Sequence, residues 1–84
     1  MKESFKDYVA AELRSLRAEH DYKQKDVANK ANIDVMTVAR YENNSTSMQL
    51  DMIEKMLAVY NIPASIFFSN ISAKMQKQLI KKEK

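Results

Sequence analysis

The stretch that decides the fold runs from Gln24 to Glu42 and reads QKDVANKANIDVMTVARYE. Val27, Ala28 and Ala31 recur at the spacing of one helical face, and Val38 with Tyr41 begins another. Asn32-Ile33-Asp34 separates them, a link too short for antiparallel packing but suited to a tight corner between two short helices. Asn32 stands where the chain must turn left-handed, a conformation that asparagine tolerates better than most residues. Ile33 then becomes a plug under the turn, and Asp34 an N-cap for the second helix. That helix would show Val35, Met36, Thr37, Arg40 and Asn43 to solvent. Such a mixed face is placed to be read against something, and the major groove of double-stranded DNA fits it.

Upstream, Phe5, Val9, Leu13 and Leu16 predict a first helix over about Ser4–Glu19, opened by a Ser4–Asp7 capping box. Lys6, Glu12, Arg14 and Glu19 read as its solvated face. His20 is the only histidine, and with no companions at ligand spacing it reads as a helix-end residue. Tyr22 is expected under the turn. Lys23 precedes the corner, where it caps poorly.

Downstream, a fourth helix is expected over about Gln49–Tyr60, with a capping box from Thr46 to Gln49. Leu50, Ile53, Leu57 and Tyr60 form one apolar stripe toward the core. Met52, Met56 and Val59 form a second, which needs a cover from the C-terminal segment or a second subunit. Asn61-Ile62-Pro63 leads into a short fifth helix, with Pro63 at its opening. There Ile66, Phe67, Phe68 and Ile71 cluster. Ile66 and Phe68 head a candidate dimer face that also takes Met52, Met56, Val59 and Ile71. Beyond Ser72, Met75, Leu79 and Ile80 continue a helical pattern flanked by lysines, readable as a cover for helix four, a basic tail near DNA or a dock for another protein. The fold class is all-α: a compact five-helix domain over residues 1–71, with the corner at 24–43 and a basic C-terminal helix or tail at 72–84.

Composition narrows the classes. The chain has 84 residues, no cysteine, no glycine and one proline. There is therefore no disulfide framework, no thiolate metal site and no glycine-rich phosphate loop. With one isolated histidine and no evident carboxylate pair in a shared pocket, the sequence points away from an enzyme, and neither metal nor cofactor is expected. No apolar run approaches a membrane span. The +3 net charge is mild, and much of it comes from Lys74, Lys77, Lys81, Lys82 and Lys84 against Glu83.

Gln24, Ala28, Ile33, Val38 and Glu42, with Leu50, Ile53, Ile62 and Phe67 further on, fall in the register of the Cro/repressor-type (XRE-like) helix-turn-helix family. The resemblance covers roughly Phe5 to Phe68. The run Glu42-Asn43-Asn44-Ser45, followed by Phe67-Phe68, looks most like the small controller proteins of restriction–modification systems. The resemblance implies that Arg17 pairs with Glu42 to pin helix one to the reading helix, and that the Gln24 amide holds a DNA phosphate. Lys23, Gln24, Asn43, Asn44 and Thr46 would then lie along the backbone. Asp34, Val35, Met36 and Arg40 would face the bases, and Thr37 a phosphate or a base edge. Arg40 suits a bidentate contact to guanine, and Val35 and Met36 suit thymine methyls; packing of those two on a protein partner is the competing reading.

The expectation is a sequence-specific, cytoplasmic, bacterial or phage-encoded transcriptional regulator that binds a palindromic operator as a homodimer. The alternative is an antitoxin-like module that binds a partner protein through its tail, with or without DNA autoregulation.

Overall fold

The computed structural model describes the backbone of residues 4–83 and the side chains of residues 4–77. Five helices follow in order: α1 (Phe5–Glu19), α2 (Gln24–Ala31), α3 (Val35–Glu42), α4 (Leu50–Val59) and α5 (Ala64–Glu83). The described residues contain no strand. Helix α3 packs on α1 and α2, α2 also meets α4, and α1 meets α5. Val9, Leu13, Leu16, Val27, Val38, Ile53, Met56, Leu57, Phe67 and Ile71 are buried in one core.

A chain without glycine must turn sharply four times, and it does so by one device. Asp21, Asn32, Asn44 and Asn61 carry the positive φ values, 57°, 58°, 53° and 55°. Short polar side chains make that left-handed state affordable. After each of them, the next residue donates its N–H to the carbonyl five residues back: Tyr22 to Arg17, Ile33 to Ala28, Ser45 to Arg40 and Ile62 to Leu57. This closes orphan carbonyls of the preceding helix. Tyr22, Ile33 and Ile62 then fold back against the core. The sequence pattern singles out only Asn32; the other three turns obey the same rule.

The helix entries differ from expectation in detail. Ser4 and Asp7 form the capping box on α1. Lys23 gives α2 no side-chain cap, but Asp26 Oδ2 accepts its backbone N–H at 2.8 Å. Asp34 occupies the N-cap of α3 without a side-chain cap bond. At α4 the N-cap is Gln49, again without one, so no Thr46–Gln49 box forms. Instead the buried Tyr41 hydroxyl accepts the Gln49 N–H at 2.9 Å, tying the entry of α4 to α3.

Three expectations about the apolar stripes are corrected. Leu50 is 69% exposed and Phe5 49% exposed, because each is the first residue of its helix and stands at the end of the layer. Met56 and Ile71 are fully buried in the chain's own core, which removes both from the dimer face. The fifth helix is not short: α5 runs unbroken through Ser72, so there is no separate C-terminal helix. Phe67, Ile71 and Met75, four residues apart, hold its inner face to the core. Glu12, expected in solvent, is buried and pairs with Lys74, clamping α5 to α1. The side chains of Leu79, Ile80, Lys81 and Lys82, and Lys84 entirely, lie outside the described residues.

Candidate nucleic-acid interface

Helix α3 is built from two unlike ends. At its C-terminal end Val38, Tyr41 and Glu42 are buried. Glu42 is 1% exposed, and a carboxylate there requires partners. It has them: Arg17 Nε donates to Oε2 at 2.8 Å and to Oε1 at 3.1 Å, and Gln24 Nε2 donates to Oε1 at 3.1 Å. Arg17 Nη1 also donates to the Tyr22 carbonyl at 3.1 Å. The Glu42 carboxylate raises the Arg17 pKa above its already high value, chiefly through these hydrogen bonds. Arg14 donates to the Glu42 backbone carbonyl, closing the helix end from a second direction. Thus α1, α2 and α3 meet at one buried charge.

An aromatic cluster lies beside this anchor. The Tyr60 ring centre is 5.0 Å from that of His20 and 6.2 Å from that of Tyr22. The Lys30 ammonium sits 5.3 Å from the Tyr22 ring centre. His20 Nδ1 is 2.9 Å from the Leu16 carbonyl, at the end of α1. Burial, with the Glu42 charge adding, pushes the Tyr60 hydroxyl up to about 12. That hydroxyl is buried without a hydrogen-bond partner.

The N-terminal end of α3 is the reverse. Val35 is 41% exposed and Met36 53%. Asp34, just before the helix, is exposed as well, and so is Arg40 on the outer face of its last turn. Met36 and Arg40, four apart, share a face. Thr37 is half-buried and lines a shallow hollow with Arg40, Tyr41, Thr46, Ser47, Gln49 and Met52. The hollow brings the loop after α3 alongside the reading helix. Met52, expected on the dimer face, opens onto this hollow instead. Lys23 and Asn43 are exposed at the edges of the corner.

Two residues expected along DNA are engaged within the fold. Gln24 spends one amide N–H on Glu42, leaving its second donor for a phosphate. Asn44 donates to Asp7 Oδ1 at 2.7 Å, and its own Oδ1 is buried. Its left-handed backbone turns the side chain toward α1, which takes it out of the outward-facing set. The backbone N–H of Ser4, followed by the Asn44 amide, lowers the Asp7 pKa. Phe68 stacks on Phe5, with ring centres 5.9 Å apart. Phe5, Val9, Met48, Leu50, Ile53 and Phe68 line an apolar groove. Ile66 remains exposed and Val59 is partly buried against the core. Phe5 and Leu50 are the groove residues that helical periodicity misassigns to the core. Their position right after a cap residue is the signal that marks them.

Two short helices joined by a tight corner, the second anchored at one end and bare at the other, define a helix-turn-helix domain. The family model described as "Helix-turn-helix" (HTH_3) matches residues 13–67, more than half of the chain. The chain belongs to this helix-turn-helix family. It is similar to the cryptic phage CTXphi transcriptional repressor RstR of Vibrio cholerae, 29% identical over 70 residues that cover 83% of this chain. The match spans 63% of that repressor's length. Among solved structures, the wild-type restriction–modification controller protein C.Esp1396I aligns over 90% of this chain and 99% of its own, with a TM-score of 0.81 and 21% identity. The same controller bound to a 25-base-pair operator site aligns over 89% of this chain and 99% of its own, with a TM-score of 0.79 and 20% identity. At that identity the likeness establishes the fold.

Proposed function

We propose that this chain is a sequence-specific, double-stranded-DNA-binding transcriptional regulator that acts as a homodimer on a palindromic operator. The observation that carries the reading is the asymmetry of α3, whose first turn is exposed and whose outer face continues to Arg40, while Tyr41 and Glu42 at its end are buried and fastened to the core. Recognition helices of this class enter the major groove with their N-terminal residues against base edges. Arg40 reads guanine, Val35 and Met36 meet apolar methyl groups, and the Asp34 carboxylate accepts from an exocyclic amine of cytosine or adenine. Lys23, Asn43, Thr46 and the free donor of Gln24 hold phosphates, which position the domain without specifying sequence. Ile66 and the groove of Phe5, Leu50 and Phe68 supply the apolar surface for a second copy. The relatives support this reading: one is a phage transcriptional repressor, and C.Esp1396I forms a tetramer in complex with its natural 35-base-pair operator. The chain acts by occupying DNA in the cytoplasm, with no catalytic step.

Selection of random duplex DNA at near-physiological salt, with Arg40→Ala in parallel, tests the proposal. A palindrome with half-sites about one turn apart, roughly 34 Å, is the expected result. Absence of enrichment, or weak binding that vanishes with salt, overturns it.

A further inference from the structure

The most exposed apolar part of the reading helix is its first turn, and the fold itself does not account for it. Val35 opens α3 although β-branched residues are poor helix formers. Met36 follows, 53% exposed. Polar residues would serve a solvated helix start better, since exposed apolar area costs free energy in water. The other large exposed apolar residues stand on other helices: Phe5 and Leu50 line the groove of Phe68, and Ile66 is on α5. Two side chains are also far too small a surface for a protein interface, which takes about 800 Å² per partner. The neighbouring Asp34 is exposed and free of a cap bond. Its carboxylate makes phosphate a poor neighbour, so this turn belongs over base edges rather than on the backbone. The basic group on the same face, Arg40, stands one turn further along, about 6 Å in helical rise.

Resting on the DNA-binding reading above, we infer that Val35 and Met36 form a methyl-reading patch for the C5-methyl group of major-groove pyrimidines, so that the protein senses 5-methylcytosine as well as thymine. Thymine and 5-methylcytosine carry the same methyl group at the same ring carbon, pointing into the same groove. An apolar patch responds to that group whichever base bears it. Arg40 reads its base through hydrogen bonds and is blind to the methyl. Cytosine methylation within the operator would then strengthen occupancy at positions under the first turn of α3.

The test uses the full chain and the selected duplex, with binding followed by fluorescence anisotropy. Each thymine of the half-site is replaced in turn by uracil, which lacks only the methyl group. Each cytosine is replaced in turn by 5-methylcytosine. At the contacted positions, uracil weakens binding about fourfold and 5-methylcytosine tightens it by a similar factor, the worth of one buried methyl. Val35→Ser combined with Met36→Gln abolishes both effects while leaving the melting temperature unchanged, because both side chains are exposed. Equal binding of thymine and uracil duplexes at every position, with sequence preference intact, overturns the methyl reading and leaves the DNA-binding reading standing. Persistence of the effect in the double variant takes the role away from Val35 and Met36. Failure to bind any duplex overturns the DNA-binding reading itself.

Discussion

The two ends of α3 belong to one helix of eight residues and are opposite in construction. At the Glu42 end a nearly inaccessible carboxylate collects donors from Arg17 and Gln24, and the terminal carbonyl takes one from Arg14. At the Val35 end the cap side chain makes no bond and two apolar side chains face solvent. A helix of eight residues is too short to be stable alone. Its orientation must come from the rest of the domain, and one end supplies it. The other end is thereby released from structural work and its residues can be chosen for what they touch.

Breaking the anchored end should have the largest effect. Arg17→Ala leaves Glu42 buried with only the Gln24 amide, and removing one partner of a buried pair costs about 3–5 kcal/mol. In a domain this small that is a large share of the total stability. Urea denaturation should show a much lower midpoint at unchanged slope. A loss below about 1 kcal/mol would mean that water replaces the guanidinium and that the anchor is not buried in solution. The next effect appears in alkali. Tyr60 ionises near 10 in the unfolded chain but only at about 12 when folded. Its stabilising contribution is therefore complete below pH 10 and falls as pH rises from 10 to 12, by roughly 3 kcal/mol. Tyr60→Phe should remove that part of the alkaline loss. At pH 7 it should leave stability unchanged or slightly raised, because the hydroxyl it deletes has no partner. Parallel alkaline denaturation curves for the two proteins would contradict this.

The same contrast explains what was legible in the sequence. The corner was legible because its apolar spacing and Asn32 are local signals, and the Arg17–Glu42 pair because the residues stand in a known register. The Glu12–Lys74 clamp was not: its partners are 62 residues apart, and each reads singly as a solvated charge. Periodicity places Met56 and Ile71 on a dimer face because it reveals apolar residues without saying what covers them; both are buried in the chain's own core. Asn44 reads from its neighbours as a free loop side chain, but its left-handed backbone aims the amide at Asp7. Val35 and Met36 were legible as exposed apolar residues, since the corner fixes the face they occupy. The core follows from periodicity, whereas long-range polar contacts depend on packing that only the folded chain specifies.

On the exposed face of α3 the expected losses concern binding, with the fold intact. Arg40→Ala should weaken binding to the selected site by about 1–3 kcal/mol and relax preference at one base pair. Its thermal stability should match that of the parent chain, since Arg40 is exposed. Equal loss on every sequence would make Arg40 a phosphate contact and shift base reading toward the first turn. Loss of stability would show that the division between anchoring and reading residues is wrong at Arg40.

The smallest expected effect sharpens where the interface begins. Lys23 precedes α2, with its backbone N–H held by Asp26 and its side chain exposed. Lys23 is the N-cap residue of α2, whose first N–H groups also favour an anion. A contact to one phosphate releases about one counterion, so Lys23→Ala should reduce the slope of log affinity against log salt by about one unit. Unlike Arg40→Ala, it should do so alike on preferred and random duplexes, because a phosphate carries no sequence. Weaker binding at an unchanged slope would show that Lys23 acts by positioning α2 and not by neutralising charge. The interface would then be confined to α3 and the loop after it.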